Sequence, residues 1–245
     1  MAPTLGKRGR AVGRRVVVTG AHPLASELAA GLRARGDEVV VIAPEAMGSV
    51  GVGCAFGSEA EVKAAVAEAA ARLGGIDQVV HAWLDPALLV ERTFAEVQPH
   101  EWIGSCEHSL EGAWWLARSV REPMRSAGGT AVVFVIPSIS LAGAAGFAML
   151  ATVAEGLRVL AKGCGRQWAK DAITVNTIAT APHHWVSADA GEVLSKAISL
   201  STPAFGGPGD IADDIAPLVS FLATGDAHFL TAGTLVADGG LWMGL

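Results

Sequence analysis

No tyrosine occurs among the 245 residues. No reaction of this chain can therefore use a phenol as its acid, base or nucleophile. Cysteine is scarce: Cys54, Cys106 and Cys164 stand far apart and form no CxxC pair. That spacing excludes a zinc ribbon or a disulfide framework, and buried thiols in a reducing, cytoplasmic setting are expected. Charge is low too. Only 17% of residues are charged while 51% are hydrophobic, which excludes a disordered chain. The net charge of −6 argues against a nucleic-acid surface. Acids are missing from the first fifteen residues, where Lys7, Arg8, Arg10, Arg14 and Arg15 stand alone. Residues 1–14 are expected to form a basic, solvated tail, and 15–245 one domain. The tail has no apolar segment, so no secretory signal is expected there.

One long uncharged stretch, Thr130 to Ala154, has the length of a membrane span. Pro137, Ser138, Ser140, Gly143 and Gly146 interrupt it, so a buried strand, a small-residue loop and a helix start are expected instead, and no membrane partner. Apolar runs recur at 15–20, 38–43, 76–82, 131–137 and 172–179, with a weaker one at 233–240. Their apolarity is continuous rather than alternating, the pattern of strands covered on both faces. Helical stretches lie between them. The clearest is 58–75: Ser58 with Glu61 three residues on reads as a capping box, and Gly74 as the stop. Alternating strands and helices predict an α/β fold, a Rossmann-type doubly wound parallel sheet in a single domain. Ligands of such sheets sit beyond the carboxyl ends of the strands.

Glycine is missing where such a fold most needs it. The stretch 16–32 reads VVVTGAHPLASELAAGL. Thr19-Gly20 opens a strand-to-helix turn, but Pro23, Leu24 and Ser26 follow. Proline has no amide to donate, and Leu24 places a branched side chain where backbone should face a phosphate. A packed turn is expected here, without a phosphate site.

The layout resembles the short-chain dehydrogenase/reductase family over nearly the whole length. Thr19-Gly20, the helix and strand over 58–80, Ile173-Thr174-Val175-Asn176 and the closing segment 210–240 carry the likeness. The resemblance implies a cofactor turn T-G-x-x-x-G-x-G, whose later glycines correspond to Leu24 and Ser26. It implies a ribose-binding acid at the end of the second strand, where Ala43 stands with Glu45 displaced. An aspartate beside the adenine corresponds to Ala55. The small residues that floor the cofactor correspond to 81–84, His-Ala-Trp-Leu, so that Trp83 and Leu84 fill the space. No NAD(H) or NADP(H) cofactor is expected, and no metal.

The resemblance further implies a catalytic Tyr with a Lys four residues on, preceded by a Ser and an Asn. Leu150, Ala154, Ser138 and Ser109 occupy those positions. Halohydrin dehalogenases share the fold but also need the Tyr, so they are excluded as well. Lys162 is expected at the surface. His81, His183 and His184 are expected to be structural, as the sequence offers no metal-ligand spacing. Glu155 and Asp189 are read as solvated helix charges.

In the family the helices near 100–124 and 147–170 dock on a second subunit. Trp114, Trp115, Gly156, Gly163 and Gly165 lie there. The first reading is thus a catalytically silent subunit that joins an active sister chain of the same family in a heterotetramer, or a homo-oligomer if alone. By that resemblance the sister acts on a 3-hydroxyacyl or 3-oxoacyl thioester. A second reading is an enzyme of another class, a lyase, isomerase or cyclase, with His81, Ser138 or His183-His184 as acid/base. A third is a small-molecule sensor.

Overall fold

A computed structural model describes residues 13–21, 23–45, 51–186 and 203–243. Seven strands form one parallel sheet: β1 (Arg15–Gly20), β2 (Glu38–Ala43), β3 (Gly51–Gly53), β4 (Gln78–Ala82), β5 (Ala131–Pro137), β6 (Thr174–Thr180) and β7 (Thr234–Ala237). Their order is β3-β2-β1-β4-β5-β6-β7. The chain crosses over between β1 and β4, so the crevice of this doubly wound sheet opens at their carboxyl ends. Val16, Val17 and Val18 show why the continuous runs are strands: all three are fully buried, with neighbours on both faces. β3 is too short to announce itself by such a run.

On one face lie α1 (Leu24–Ala34) and α6 (Ala216–Leu222), the latter entered through a π-helical turn at Ile211–Ile215. Gly31 of α1 permits that contact, because a Cβ there would lie 2.7 Å from the carbonyl oxygen of Ala212. The other face carries α2 (Glu59–Leu73), α3 (Pro99–Ala127) and α5 (Ala148–Trp168). The uncharged run 130–154 resolves as expected. It comprises β5, the short α4 (Ile139–Ala142), a loop, and the first turns of α5.

Local signals acted with one change. Ser58 caps α2 by accepting from the Glu61 N–H at 3.3 Å, and Gly74 ends the helix at φ 71°. The Glu61 carboxylate does not return to Ser58, as a capping box requires. It reaches back to the N–H groups of Ala55 and Gly57, and so fastens the β3–α2 loop.

The amino end of the domain begins earlier than the sequence suggests. Arg14 is buried: its Nη2 donates to Asp37 Oδ2 at 2.7 Å, and its Nη1 donates to the Ser220 carbonyl at 2.5 Å. Arg15 pairs with Asp77 at 2.6 Å. Both were expected to belong to, or border, a solvated basic tail. Each instead ties the amino end of β1 to neighbouring elements, since a charge buried there needs a partner.

Candidate active-site region at the carboxyl edge of the sheet

The turn after β1 is closed upon itself. Gly20 is required, because a Cβ would lie 2.8 Å from the Ala82 carbonyl oxygen of β4. Beyond it, Ala25 N–H donates to Ala21 O at 3.2 Å and Glu27 N–H to Pro23 O at 3.0 Å. Ser26 donates its hydroxyl to the same Pro23 carbonyl at 2.6 Å. Leu24 is buried in the layer between α1 and α6. The amides of Ala25 and Glu27 are thus engaged within the first turn, Pro23 has none to offer, and the leucine anchors the turn inward.

At the end of β4 the space is filled. Trp83 is 1% exposed and stacks on Phe56, with ring centroids 4.5 Å apart at 21°. Leu84 is buried beside it. Phe56 adopts φ 60°, a left-handed conformation unusual for a bulky side chain. Room for the pair comes from Gly112 of α3, where a Cβ would stand 3.1 Å from Trp83 Cζ3 and 3.2 Å from Phe56 Cβ. Strand end, loop and helix are therefore fitted to one another. Nothing in the sequence marks Phe56 or Gly112 as partners of Trp83.

A polar arch covers this stack. His108 meets Trp83 edge to face at 4.8 Å. Its Nδ1 lies 2.7 Å from Asp85 Oδ2 and its Nε2 3.1 Å from the carbonyl oxygen of Ala55. Ser109, buried on the same helix, accepts from the Asp85 N–H at 2.9 Å. Ala55 is exposed, whereas Ala43 at the end of β2 is buried and accepts from Cys54 N–H at 2.8 Å. Glu45 is exposed beyond it.

Ser138 follows β5 and is buried, its N–H donating to Thr180 O at 2.7 Å. Leu150 and Ala154 are fully buried in the same apolar layer as Trp83 and Phe56. Above them the β4 and β5 loops join directly: Arg92 N–H donates to Gly146 O at 2.9 Å.

The histidines divide. His81 is fully buried and does not face a cleft. Its Nδ1 lies 2.7 Å from Thr19 Oγ1, while its Nε2 has no partner, so neither nitrogen bonds Ser138. Burial pushes His81 down to about 3, which keeps it neutral. The second reading, which uses His81 or Ser138 as acid/base, therefore gains no hydrogen bond between the two. After β6, His184 Nε2 lies 3.0 Å from the Pro208 carbonyl oxygen, and Trp185 Nε1 donates to Thr180 Oγ1 at 3.0 Å. A cavity of about 330 Å³ opens between this turn and the start of α1, lined by Pro23, Glu27, His183, His184, Trp185 and Val186. Burial, and next the neighbouring His184, hold His183 below the usual imidazole range.

Glu155 pairs with Arg158, so it is not simply solvated. Lys162 is exposed as expected. Asp189 lies outside the described residues. All three cysteines are free and buried, and burial pushes Cys54 and Cys164 up to about 11. Among the described residues no group of three or more His, Cys, Asp or Glu could hold a metal ion, and no helix is long and apolar enough to cross a membrane.

Seven parallel strands in this order, with helices on both faces, define a Rossmann-type domain. The chain belongs to the short-chain dehydrogenase/reductase family, since the family model described as enoyl-(acyl carrier protein) reductase matches residues 9–242. It is 25% identical over 249 residues to the 3-oxoacyl-[acyl-carrier-protein] reductase FabG of Salmonella typhimurium, covering 94% of this chain and 98% of that one. The Escherichia coli FabG is equally similar, 25% identical over the same shares. The crystal structure of 3-ketoacyl-(acyl-carrier-protein) reductase from Brucella melitensis complexed with NADH superposes with a TM-score of 0.80. It covers 95% of this chain and 99% of that chain at 18% identity, which speaks to the fold alone.

Proposed function

We propose that this chain is a catalytically silent member of its family that assembles with an active sister chain, one acting on 3-oxoacyl or 3-hydroxyacyl thioesters. The observation that carries the reading is the Phe56–Trp83 stack seated in the notch at Gly112. It stands at the carboxyl edge of β4, where a doubly wound sheet otherwise leaves a crevice for its ligand. A dinucleotide does not fit the residues present. After β1 the Ala25 and Glu27 amides are engaged within the turn and Pro23 has no N–H, and the aromatic pair occupies the floor. A Trp side chain fills roughly 150–250 Å² of contact surface. The missing phenol adds a chemical reason, as leucine and alanine at 150 and 154 offer no proton.

Surfaces for a partner support the assembly half of the reading. On α3 and α5, Trp114 is 45% exposed and Val159 59%, beside an open Gly163. Near the sheet edge Phe229 is 90% exposed, with Leu230 and Val236 close in sequence. Large apolar side chains exposed in groups mark association surfaces. The thioester substrate of the partner rests on the similarity to the 3-oxoacyl-[acyl-carrier-protein] reductases.

The test has two parts. Titration of the isolated protein with NADH and NADPH is expected to give no saturable binding up to millimolar cofactor. Native mass measurement on the complex purified from its source is expected to show a second chain of similar size. Micromolar cofactor affinity, or a homo-oligomer with reductase turnover, overturns the proposal. The cavity lined by Glu27, His183 and His184 favours a second reading, an enzyme of another class. Alanine at both histidines then abolishes activity in a reconstituted pathway, and leaves it unchanged under the first reading.

A further inference from the structure

We propose that His108 is a proton-operated clip that holds the 54–58 loop closed over the Phe56–Trp83 pair. Both partners of its ring are acceptors: the Asp85 carboxylate at 2.7 Å from Nδ1, and the Ala55 carbonyl at 3.1 Å from Nε2. A neutral imidazole carries a single N–H. Only the imidazolium can make both bonds at once. When the proton leaves, the remaining one stays on Nδ1, where the carboxylate accepts the stronger bond. The Nε2 lone pair then opposes the lone pairs of the Ala55 oxygen, and the loop loses its hydrogen bond to α3, keeping only the apolar contact of Phe56.

Asp85 cannot follow the ring. Its Oδ1 accepts from Ala87 N–H at 2.8 Å and its own N–H is held by Ser109 at 2.9 Å. The loop, in contrast, contains the strained Phe56 turn at φ 60°. A further side-chain tether is the Glu61 carboxylate on the Ala55 and Gly57 amides, which lies on α2 and not across the gap. Titratable and charged neighbours come from each packed element. Asp85 after β4 meets the ring; the elements around it also carry Cys54 after β3, Glu61 and Glu59 on α2, and Cys106, Glu107, Glu111 and Arg118 on α3. Glu59 is engaged with Arg118 at 3.2 Å. The His108 side chain is one-third exposed, so solvent protons reach it. This device is independent of the subunit role proposed above.

Two measurements on the full-length protein test it. Imidazole 15N–1H correlation spectra report how many ring nitrogens of His108 carry a proton. Amide exchange reports protection factors for 54–58, with Val16–Val18 of β1 as the internal reference. Protonated His108 is expected with both nitrogens bearing hydrogen and a protected loop. Through its deprotonation, loop protection falls by about tenfold or more, the scale of one charge-assisted bond, while β1 stays constant. His108→Phe, which keeps a ring but has no N–H to donate, is expected to give the low-protection loop at every pH. The proposal is overturned by a singly protonated ring in the pH range where the loop is protected, or by loop protection that does not change through the titration. The wild-type data decide the matter if the variant does not fold.

Discussion

Replacing Trp83 probes the packed region at the edge of β4 directly. The indole is 1% exposed, stacked on Phe56 and confined by Gly112. Truncating such a side chain to alanine costs about 3–5 kcal/mol, because the lost transfer energy is joined by a cavity the rigid neighbours cannot fill. For a chain of 245 residues that is a fall in Tm on the order of 10 °C. The indole Nε1 is buried without a hydrogen-bond partner. An unmade bond of that kind costs about 1–3 kcal/mol. Trp83→Phe keeps the stack and deletes the orphaned N–H, so its loss of packing is largely offset, and a net change within about 1 kcal/mol is expected. Urea unfolding followed by far-UV circular dichroism measures both variants. If alanine costs less than about 1.5 kcal/mol, Trp83 is not locked in a packed site. If phenylalanine costs as much as alanine, the account of the indole nitrogen is wrong.

Three further perturbations follow from the geometry. His81 falls to about 3 in the folded chain against an ordinary 6.5, so the unfolded state binds the extra proton between those values. Stability is then complete above about pH 6.5 and is lost as pH falls, by up to about 1.4 kcal/mol per pH unit. Denaturant midpoints at pH 7.5, 6 and 5 should show that slope, and His81→Asn should flatten it by one proton. Asp37→Ala strands the buried Arg14 guanidinium, with an expected loss of about 3–5 kcal/mol, read by thermal unfolding. Gly163 has no atom within 4 Å of an added Cβ. Gly163→Ala should therefore stabilise an isolated chain by up to about 1 kcal/mol through helix propensity. Sedimentation velocity should show weakened assembly if the α5 face is a subunit contact.

The helix glycines show how a pattern can be read correctly and placed wrongly. Gly156, Gly163 and Gly165 lie on α5, a helix that docks on a second subunit in the family, and helix glycines permit a close approach. Gly156, however, receives Leu110 of α3, at 2.7 Å from an added Cβ, and Gly165 faces Thr231 and Ala232 of the same chain. Only Gly163 of the three is open. Sequence spacing specifies that something must approach the helix, and the tertiary contacts decide what.

Several properties were legible in the sequence because they depend on neighbours along the chain. Continuous runs such as Val16-Val17-Val18 needed burial on both faces, and only a covered parallel sheet supplies it. Ser58 and Gly74 marked the ends of α2 by satisfying its first amide and accepting a positive φ. The absence of a phenol is a chemical fact that no fold can repair. The carboxyl edge of the sheet was different. Phe56, Trp83 and Gly112 come from a loop, a strand end and a helix, and their fit depends on volumes that meet only after the sheet has formed. The same holds for His108, whose two acceptors belong to Asp85 and to the backbone of Ala55. Shape complementarity and shared hydrogen bonds are properties of the assembled core, and they leave no periodic trace in the chain that builds it.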